Sequence, residues 1–289
     1  MIPPAFDYHA PASLPEAIAL LTRLGDSAKV ISGGQSLLPL LKLRLGSADH
    51  VVDIGRIPGL EYVREEGGFL RIGGRTRESV LERSEVVRGR YPILLDTARV
   101  IADPLVRNRA TVGGNLAHGD PANDHPATML ALRATVVAQG PKGERVIAID
   151  DFFTGLFTTA LAPDEILTEI RIPAPQKSTG GAYFKLERKV GDYATAAAAA
   201  QVTLDGGGFA QVGLALTNAG PVPARCAVAE KFLTGKRANE ANIAEAARQV
   251  AEAATPGADR RGSVEYKREM ARVLAARALK KAVERAGGK

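Results

Sequence analysis

Between Arg107 and Ala127 the chain reads RNRATVGGNLAHGDPANDHPA, and this run constrains the fold more than any other. Its glycines, prolines, asparagines and aspartates interrupt every apolar period, so it reads as neither core helix nor buried strand. It sits between two apolar, helix-like stretches and is too long for a simple connector. Long irregular loops inside compact domains are usually functional. At its centre, Thr111-Val112-Gly113-Gly114-Asn115 places two residues without Cβ atoms beside a hydroxyl and an amide. Backbone N–H groups there can approach an anion closely, and successive N–H groups in such turns form a concave nest for phosphate oxygens. Far upstream, Ser32-Gly33-Gly34-Gln35-Ser36 repeats the same chemistry. A lone glycine pair is most often only a turn. Two matched loops carrying Ser, Gln, Thr and Asn predict a ligand with more than one phosphate.

A chain of 289 residues can bury a large core and divide into two domains. Its 45% apolar and 24% charged content is that of an ordinary globular protein. The opening MIPPAFDYHAPASLPEA has neither a basic region nor an apolar run and does not read as a signal peptide. No stretch approaches the roughly 18 apolar residues that span a bilayer. A cytoplasmic enzyme or enzyme subunit is expected, with any association with the inner face of a membrane made through partners.

Cys226 is the single cysteine, which excludes an intrachain disulfide, a Cys-ligated iron–sulfur cluster and a multi-Cys zinc site. His9, His50, His118 and His125 show no metal-ligand spacing, so no protein-held metal is expected, and redox chemistry would need an organic cofactor. Neither GxGxxG nor GxxxxGK[ST] occurs, which removes the commonest nucleotide motifs. His118 and Asp120 resemble an acid/base pair, but nothing in the sequence places a substrate near them, and no catalytic residue is assigned. Of the net charge of +6, the surplus is concentrated after residue 259. A basic tail can serve nucleic acid or an acidic partner. Here Ala271, Leu274, Ala278, Leu279 and Ala282 recur at helical spacing, and Tyr266 is the tail's one aromatic, little for base stacking. An amphipathic helix with a solvated basic face is the plainer reading.

Taken in order, Ser13-Leu-Pro-Glu16 predicts a capping box opening a helix that stops near Gly25. A strand over 29–32 runs into the first glycine loop, followed by a buried helix over 37–45 and a strand over 50–54. Ligand loops commonly sit at such strand ends. Residues 60–74 predict a hairpin, Thr76 a cap for a helix through about 87, and 93–102 another helix. Beyond the long loop come a short helix ending near 132 and strands over 134–139, 145–149 and 166–172. PAPQKSTGG at 173–181 predicts a domain boundary. Antiparallel strands over 182–188, 197–204 and 210–217 follow, then helices over 241–254 and 264–286. The alanine run 196–200 fits close packing beside something bulky.

Three runs, SGGQSLLPLLKLRL, RNRATVGGNLAHGDPANDHPA and FKLERKVGDYATAAAA, together resemble the FAD-binding medium subunit of the molybdenum hydroxylases. The likeness covers essentially the whole chain. It is stronger to the carbon monoxide dehydrogenase type than to the flavin domain of xanthine dehydrogenases. The resemblance implies an α+β protein with a vanillyl-alcohol-oxidase-type FAD-binding domain. Residues 1–176 would form that domain from two α/β subdomains, 1–57 and 58–176. Residues 177–289 would form a C-terminal α+β domain with an antiparallel sheet.

FAD would be clasped at its pyrophosphate by Ile31, Ser32, Gly33, Gly34, Gln35, Ser36 and Leu37 from one side, and by Ala110, Thr111, Val112, Gly113, Gly114 and Asn115 from the other. Each charge-assisted hydrogen bond contributes roughly 1.5–3 kcal/mol. Asp124 matches an aspartate that hydrogen-bonds the cofactor, with an N-cap for the helix near His125 as the rival role. Ile101 and Ala102 match apolar positions of the flavin cleft, and Leu161 a contact at the cofactor rim. Lys185 matches a lysine near the flavin, and Tyr193 a tyrosine covering its ring. Ser32 stands where relatives commonly carry alanine.

The implied role is electron transfer. A molybdenum large subunit and a [2Fe-2S] small subunit would be partners in a dimer of heterotrimers, with NAD, a quinone or oxygen as the external acceptor. A self-contained flavin reductase of the same fold, and a non-enzymatic nucleic-acid or scaffold protein using the basic helix, are the alternatives.

Overall fold

Ser13 opens the first regular layer. In the structure, a computed structural model describing residues 2–287, its hydroxyl accepts from the Glu16 amide at 3.4 Å and Glu16 accepts from the Ala12 amide at 2.8 Å. This is a capping box displaced by one residue. Strand β1 (Asp7–His9), helix α1 (Leu14–Leu24), strand β2 (Ala28–Ile31), helix α2 (Leu37–Lys42) and strand β3 (His50–Asp53) make a three-stranded unit. β3 lies in the middle, parallel to both neighbours. The first glycine loop leaves the carboxyl end of β2, where parallel sheets place ligand loops. The helix expected through Leu45 ends at Lys42, because Arg44 turns at φ 61° and leaves Leu43 and Leu45 exposed.

The second unit begins with the expected hairpin, β4 (Val63–Glu66) and β5 (Phe69–Gly73). Thr76 does not cap the next helix. Its hydroxyl instead bonds both the amide and the carbonyl of Tyr62, at 3.1 and 2.9 Å. The single helix expected there is two, α3 (Glu78–Arg83) and α4 (Glu85–Arg90), because Ser84 is extended and caps the second. Helices α5 (Pro92–Val100), α6 (Pro104–Arg107), α7 (Val112–Ala117) and α8 (Asp124–Ala131) follow. Strands β6 (Thr135–Gly140) and β7 (Gly143–Ala148), a small hairpin of β8 (Phe153–Gly155) and β9 (Thr158–Thr159), and β10 (Ile166–Pro173) complete the unit. Its five-stranded sheet has the order β4-β5-β10-β6-β7, and every neighbouring pair is antiparallel. The second subdomain is therefore built on an antiparallel sheet, unlike the parallel first.

The third unit is a meander of β11 (Thr179–Leu186), β12 (Ala196–Asp205), β13 (Gly208–Thr217) and β14 (Ala224–Arg225), followed by α9 (Ala227–Leu233), α10 (Glu240–Ala253) and α11 (Val264–Gly287). Alternate side chains of a strand point to opposite faces, and β12 uses this fully. Ala196, Ala198 and Ala200 pack in one core with Ala271, Ala275, Ala278 and Ala282 of α11. Ala197 and Ala199 join the other core, with Leu94 and Ala98 of α5 and Met129 of α8. Small residues let helices rest almost on the sheet backbone. A Cβ at Gly213 would lie 2.0 Å from the Ala131 carbonyl oxygen of α8.

Helix α11 is the packed amphipathic helix of the plainer reading. Its Lys267 is buried, with Nζ 2.9 Å from both the Gly257 carbonyl and the Asp259 carboxylate. Arg285 reaches across to α5, donating to Asp96 at 2.5 Å and to the Gly181 carbonyl at 2.6 Å. Among the described residues no helix is long and apolar enough to cross a membrane, and no cluster of His, Cys, Asp or Glu is arranged to hold a metal.

Candidate cofactor site

The two glycine loops touch. Ser32 Oγ lies 3.0 Å from Thr111 Oγ1. A Cβ on Gly33 would sit 2.2 Å from the Arg109 carbonyl oxygen, so only glycine allows this approach. Gly34 turns at φ 75° into α2. Among the described residues, the amides of Gly33, Gly34, Gln35 and Ser36 have no acceptor. Four consecutive free N–H groups at a strand end are the kind of donor set that an anion-binding loop needs. Ile31 and Leu37 flank it, half-buried against a small core of Leu41, Ala48 and Val51.

The second loop differs from expectation. Thr111 to Asn115 is not irregular but the N-cap and first turn of α7. Its amides are already engaged: Val112 donates to Thr76 O, Gly113 to Gly74 O, Gly114 to Thr111 Oγ1 and Asn115 to Thr111 O. No amide nest exists over 112–115. Gly113 is helical and is required for close packing, since its Cβ would fall 2.3 Å from Gly74 O. Val112 is wholly buried core, and the Ala110 carbonyl accepts from the Glu78 amide at 3.0 Å. What the loop offers a ligand is side chains. Asn115 Oδ1 is buried without a partner, an arrangement that costs about 1–3 kcal/mol unless a donor arrives. The free amides of the first loop and this unpaired oxygen fit a hydroxyl-bearing diphosphate such as FAD.

A second cluster forms where α5 ends. Val100 closes the helix, Ile101 is extended and buried, and Ala102 takes φ 46°, costing roughly 1–2 kcal/mol for a residue with a Cβ. Arg107 holds this strained corner, donating to the carbonyls of Ile101 and Ala102 at 3.0 and 3.3 Å and to Glu82 at 3.1 Å. The turn carrying Tyr193 packs directly on it, since a Cβ on Gly191 would lie 2.7 Å from Ala102 O. Asp192 fastens that turn, accepting from Arg188, Arg261 and the Tyr193 amide at 3.0, 3.0 and 2.8 Å. Burial pushes its carboxyl up, but these donors outweigh burial and bring it down to about 2. Tyr193 remains 43% exposed, free to cover a planar ligand.

Asp124 is the first residue of α8, and Asn123 precedes the helix, so the N-cap role fails for Asp124. Its carboxylate turns inward instead. Oδ2 accepts from Lys185 Nζ at 2.9 Å and Oδ1 from the Tyr183 hydroxyl at 2.6 Å. Lys185 also donates to the Val100 carbonyl at 3.0 Å and lies 3.3 Å from Glu187, with its side chain 2% exposed. Burial pushes the Asp124 carboxyl above the ordinary range, against the pull of Lys185 and Tyr183.

Ile101, Ala102, Asp124, Lys185 and Tyr193 thus meet, although they come from three distant stretches. Leu161 is half-buried against the main core, which also holds Val112 and Tyr183. His118 packs on Phe157 and burial pushes its imidazolium pKa down, while Asp120 accepts from the Ala122 amide. No hydrogen bond joins His118 to Asp120. Two groups escaped the sequence reading. Tyr183 shared a face with Lys185 two residues on, a signal the strand period carried. His125 pairs with Glu78 at 2.7 Å, both fully buried, and no local pattern marked that contact.

Residues 4–175 match the family described as the FAD binding domain in molybdopterin dehydrogenase, and residues 181–282 the CO dehydrogenase flavoprotein C-terminal domain. The chain is 45% identical to the carbon monoxide dehydrogenase medium chain of Hydrogenophaga pseudoflava, over 96% of this chain and 97% of that one. It is 32% identical to the xanthine dehydrogenase FAD-binding subunit of Escherichia coli O157:H7, over 98% and 97%. A solved carbon monoxide dehydrogenase chain from Hydrogenophaga pseudoflava superposes with a TM-score of 0.97 at 46% identity, covering 99% of each chain. Quinoline 2-oxidoreductase from Pseudomonas putida 86 gives 0.92 at 34%, again over 99% of each.

Proposed function

The chain belongs to the carbon monoxide dehydrogenase medium-subunit family of FAD-binding oxidoreductase subunits, and we propose that it serves as the electron-transfer subunit of a molybdenum-containing dehydrogenase. Its partners on this reading are a molybdenum large subunit and a [2Fe-2S] small subunit, assembled as a dimer of heterotrimers. Electrons would enter from the small subunit's clusters and leave to NAD, a quinone or oxygen. Residues 1–176 would hold the cofactor, and residues 177–289 would close over its ring. Bound FAD would supply the electron-carrying chemistry. This chain's own residues bind and orient. Gly33 to Ser36 present amides to the pyrophosphate, Ser32 and Thr111 keep the loops together, and Asn115 offers an unpaired acceptor. Ala102, Lys185 and Tyr193 frame the ring.

The observation that carries the reading is the contact between the two glycine loops, with four free amides on one of them. The lone Cys226 agrees with it, because cluster ligands must then come from another chain. The test is anaerobic stopped-flow with candidate substrates, on the chain alone and with molybdenum and iron–sulfur subunits. About one FAD per chain, bleached by substrate only when partners are present, is the expected result. Rapid bleaching by a small-molecule substrate in the isolated chain would favour a self-contained reductase instead.

A further inference from the structure

Tyr183 lies outside every glycine loop, and its ring is buried between β11 and the helices α5 and α8. Its hydroxyl is nonetheless directed at one atom, Asp124 Oδ1, at 2.6 Å, with Thr217 Oγ1 3.2 Å away on β13. Lys185, on the same face of the strand, takes the other carboxylate oxygen and at the same time the carbonyl of Val100. Val100 immediately precedes the strained Ile101-Ala102 corner, on which the Tyr193 turn rests. Tyr183 shares its row of the sheet with Ala199, Ala215 and Arg225, and Lys185 shares its row with Ala197 and Thr217. A phenylalanine would fill the same space without reaching the carboxylate.

We propose that Tyr183 is a positioning residue for the flavin end of the site: with Lys185 it pins both oxygens of Asp124, and through that carboxylate it sets the tightness of FAD binding and the pH response of the flavin's reduction potential. The inference rests on the FAD-subunit reading above. A carboxylate with two donors keeps acceptor capacity for a cofactor hydroxyl, but only in the orientation those donors impose. Lys185 balances that carboxylate at 2.9 Å, so a proton taken up by Asp124 leaves the ammonium without that counter-charge beside the ring end, in surroundings too dry to screen it.

The other ionisable groups facing Asp124 keep their partners when Tyr183 changes. His125 is held by Glu78, Glu187 lies by Lys185, and Tyr193 and Asp120 stand in the adjoining turns. Behind Tyr183, Asp96 is held by Arg285. Losing the tyrosine donor makes the Asp124 carboxyl easier to protonate. The neutral form then persists to higher pH, and over that interval the potential is more positive.

The experiment uses the assembled complex carrying Tyr183→Phe, Asp124→Asn, or both. FAD content, the FAD dissociation constant, and the midpoint potential against pH are measured by titration and spectroelectrochemistry. Tyr183→Phe should keep near-stoichiometric FAD, weaken binding several-fold, and move a break in the potential–pH curve upward by about one unit, a tenfold change in proton affinity. Asp124→Asn should abolish that break, and adding Tyr183→Phe should then change the curve no further. An unchanged dissociation constant and curve in Tyr183→Phe, with only the melting temperature lowered, would overturn the proposal. So would a break that survives in Asp124→Asn, a result that decides the matter even if the tyrosine variant does not fold. A parent complex that binds no FAD would instead refute the FAD-subunit reading itself.

Discussion

At the scale of single residues, the glycines of this site separate into two kinds that look identical in the sequence. Gly34 serves a left-handed turn, whereas Gly113 is helical and serves the contact with Gly74. Gly113→Val would therefore damage the fold before it damages binding. Its branched Cβ meets backbone atoms that cannot rotate away, and a loss of about 3 kcal/mol, the upper end for overpacking, is expected, read as a lowered urea midpoint in the FAD-free chain. Ser32→Ala should cost only about 0.5–1.5 kcal/mol, one hydrogen bond between loops; a slightly lowered urea midpoint of the FAD-free chain with a FAD dissociation constant raised several-fold is the outcome to look for. Asp192 gives a pH dependence. Its folded value of about 2 lies below the unfolded carboxyl, so its stabilisation is complete above about pH 4 and disappears as pH falls toward 2. Hydrogen exchange in the 188–193 turn should accelerate over that interval. In Arg261→Ala the acceleration should begin at higher pH, because one of the donors holding Asp192 is gone.

At the scale of elements, β12 is the strand on which two helical layers depend. Ala198 faces α11 and Ala199 faces α5 and α8, and each is fully buried. Enlarging either should separate a helix from the sheet. Ala198→Leu is expected to cost about 1–3 kcal/mol or more, measurable by chemical denaturation. Ala199→Leu should do the same and also displace Tyr183, its neighbour across the strands, so it should weaken FAD binding where Ala198→Leu leaves binding unaltered. The α7 region shows why elements resisted reading. A six-residue helix containing two glycines has almost no intrinsic stability. Only Thr111 as N-cap and the carbonyls of Gly74 and Thr76 make it form.

At the scale of the whole molecule, Arg285 joins the last helix to the middle of the chain. It binds the Asp96 carboxylate with both terminal nitrogens and the Gly181 carbonyl with one. Arg285→Ala should leave Asp96 half-buried without its cation, costing about 1–3 kcal/mol. Thermal unfolding of the isolated chain should report this as a lower midpoint, with α11 released first in hydrogen exchange. Equal midpoints would mean that apolar packing alone holds the helix. The basic surplus of the C-terminal segment thus has an internal share, in Lys267, Arg261 and Arg285.

Local chemistry in the sequence was enough to determine much of this. The strand-to-glycine turn at Ser32-Gly33, the hairpin at Gly67-Gly68, the meander and the final amphipathic helix follow from periodicity and turn residues. The three co-linear motifs were enough for the family, which its 45% identity to a carbon monoxide dehydrogenase medium chain bears out. Tertiary structure alone decided three things. It turned the second glycine loop into a helix whose amides are already bonded, two of them to Thr111 and two to the carbonyls of Gly74 and Thr76, far away in sequence. It ended the helix at Val100, two residues short of Ala102, which Arg107 and Gly191 hold as a left-handed residue that propensity would keep helical. It also gave Asp124 to Tyr183 and Lys185 rather than to its own helix. A buried carboxylate goes wherever donors can reach it, and those donors come from a strand some sixty residues on.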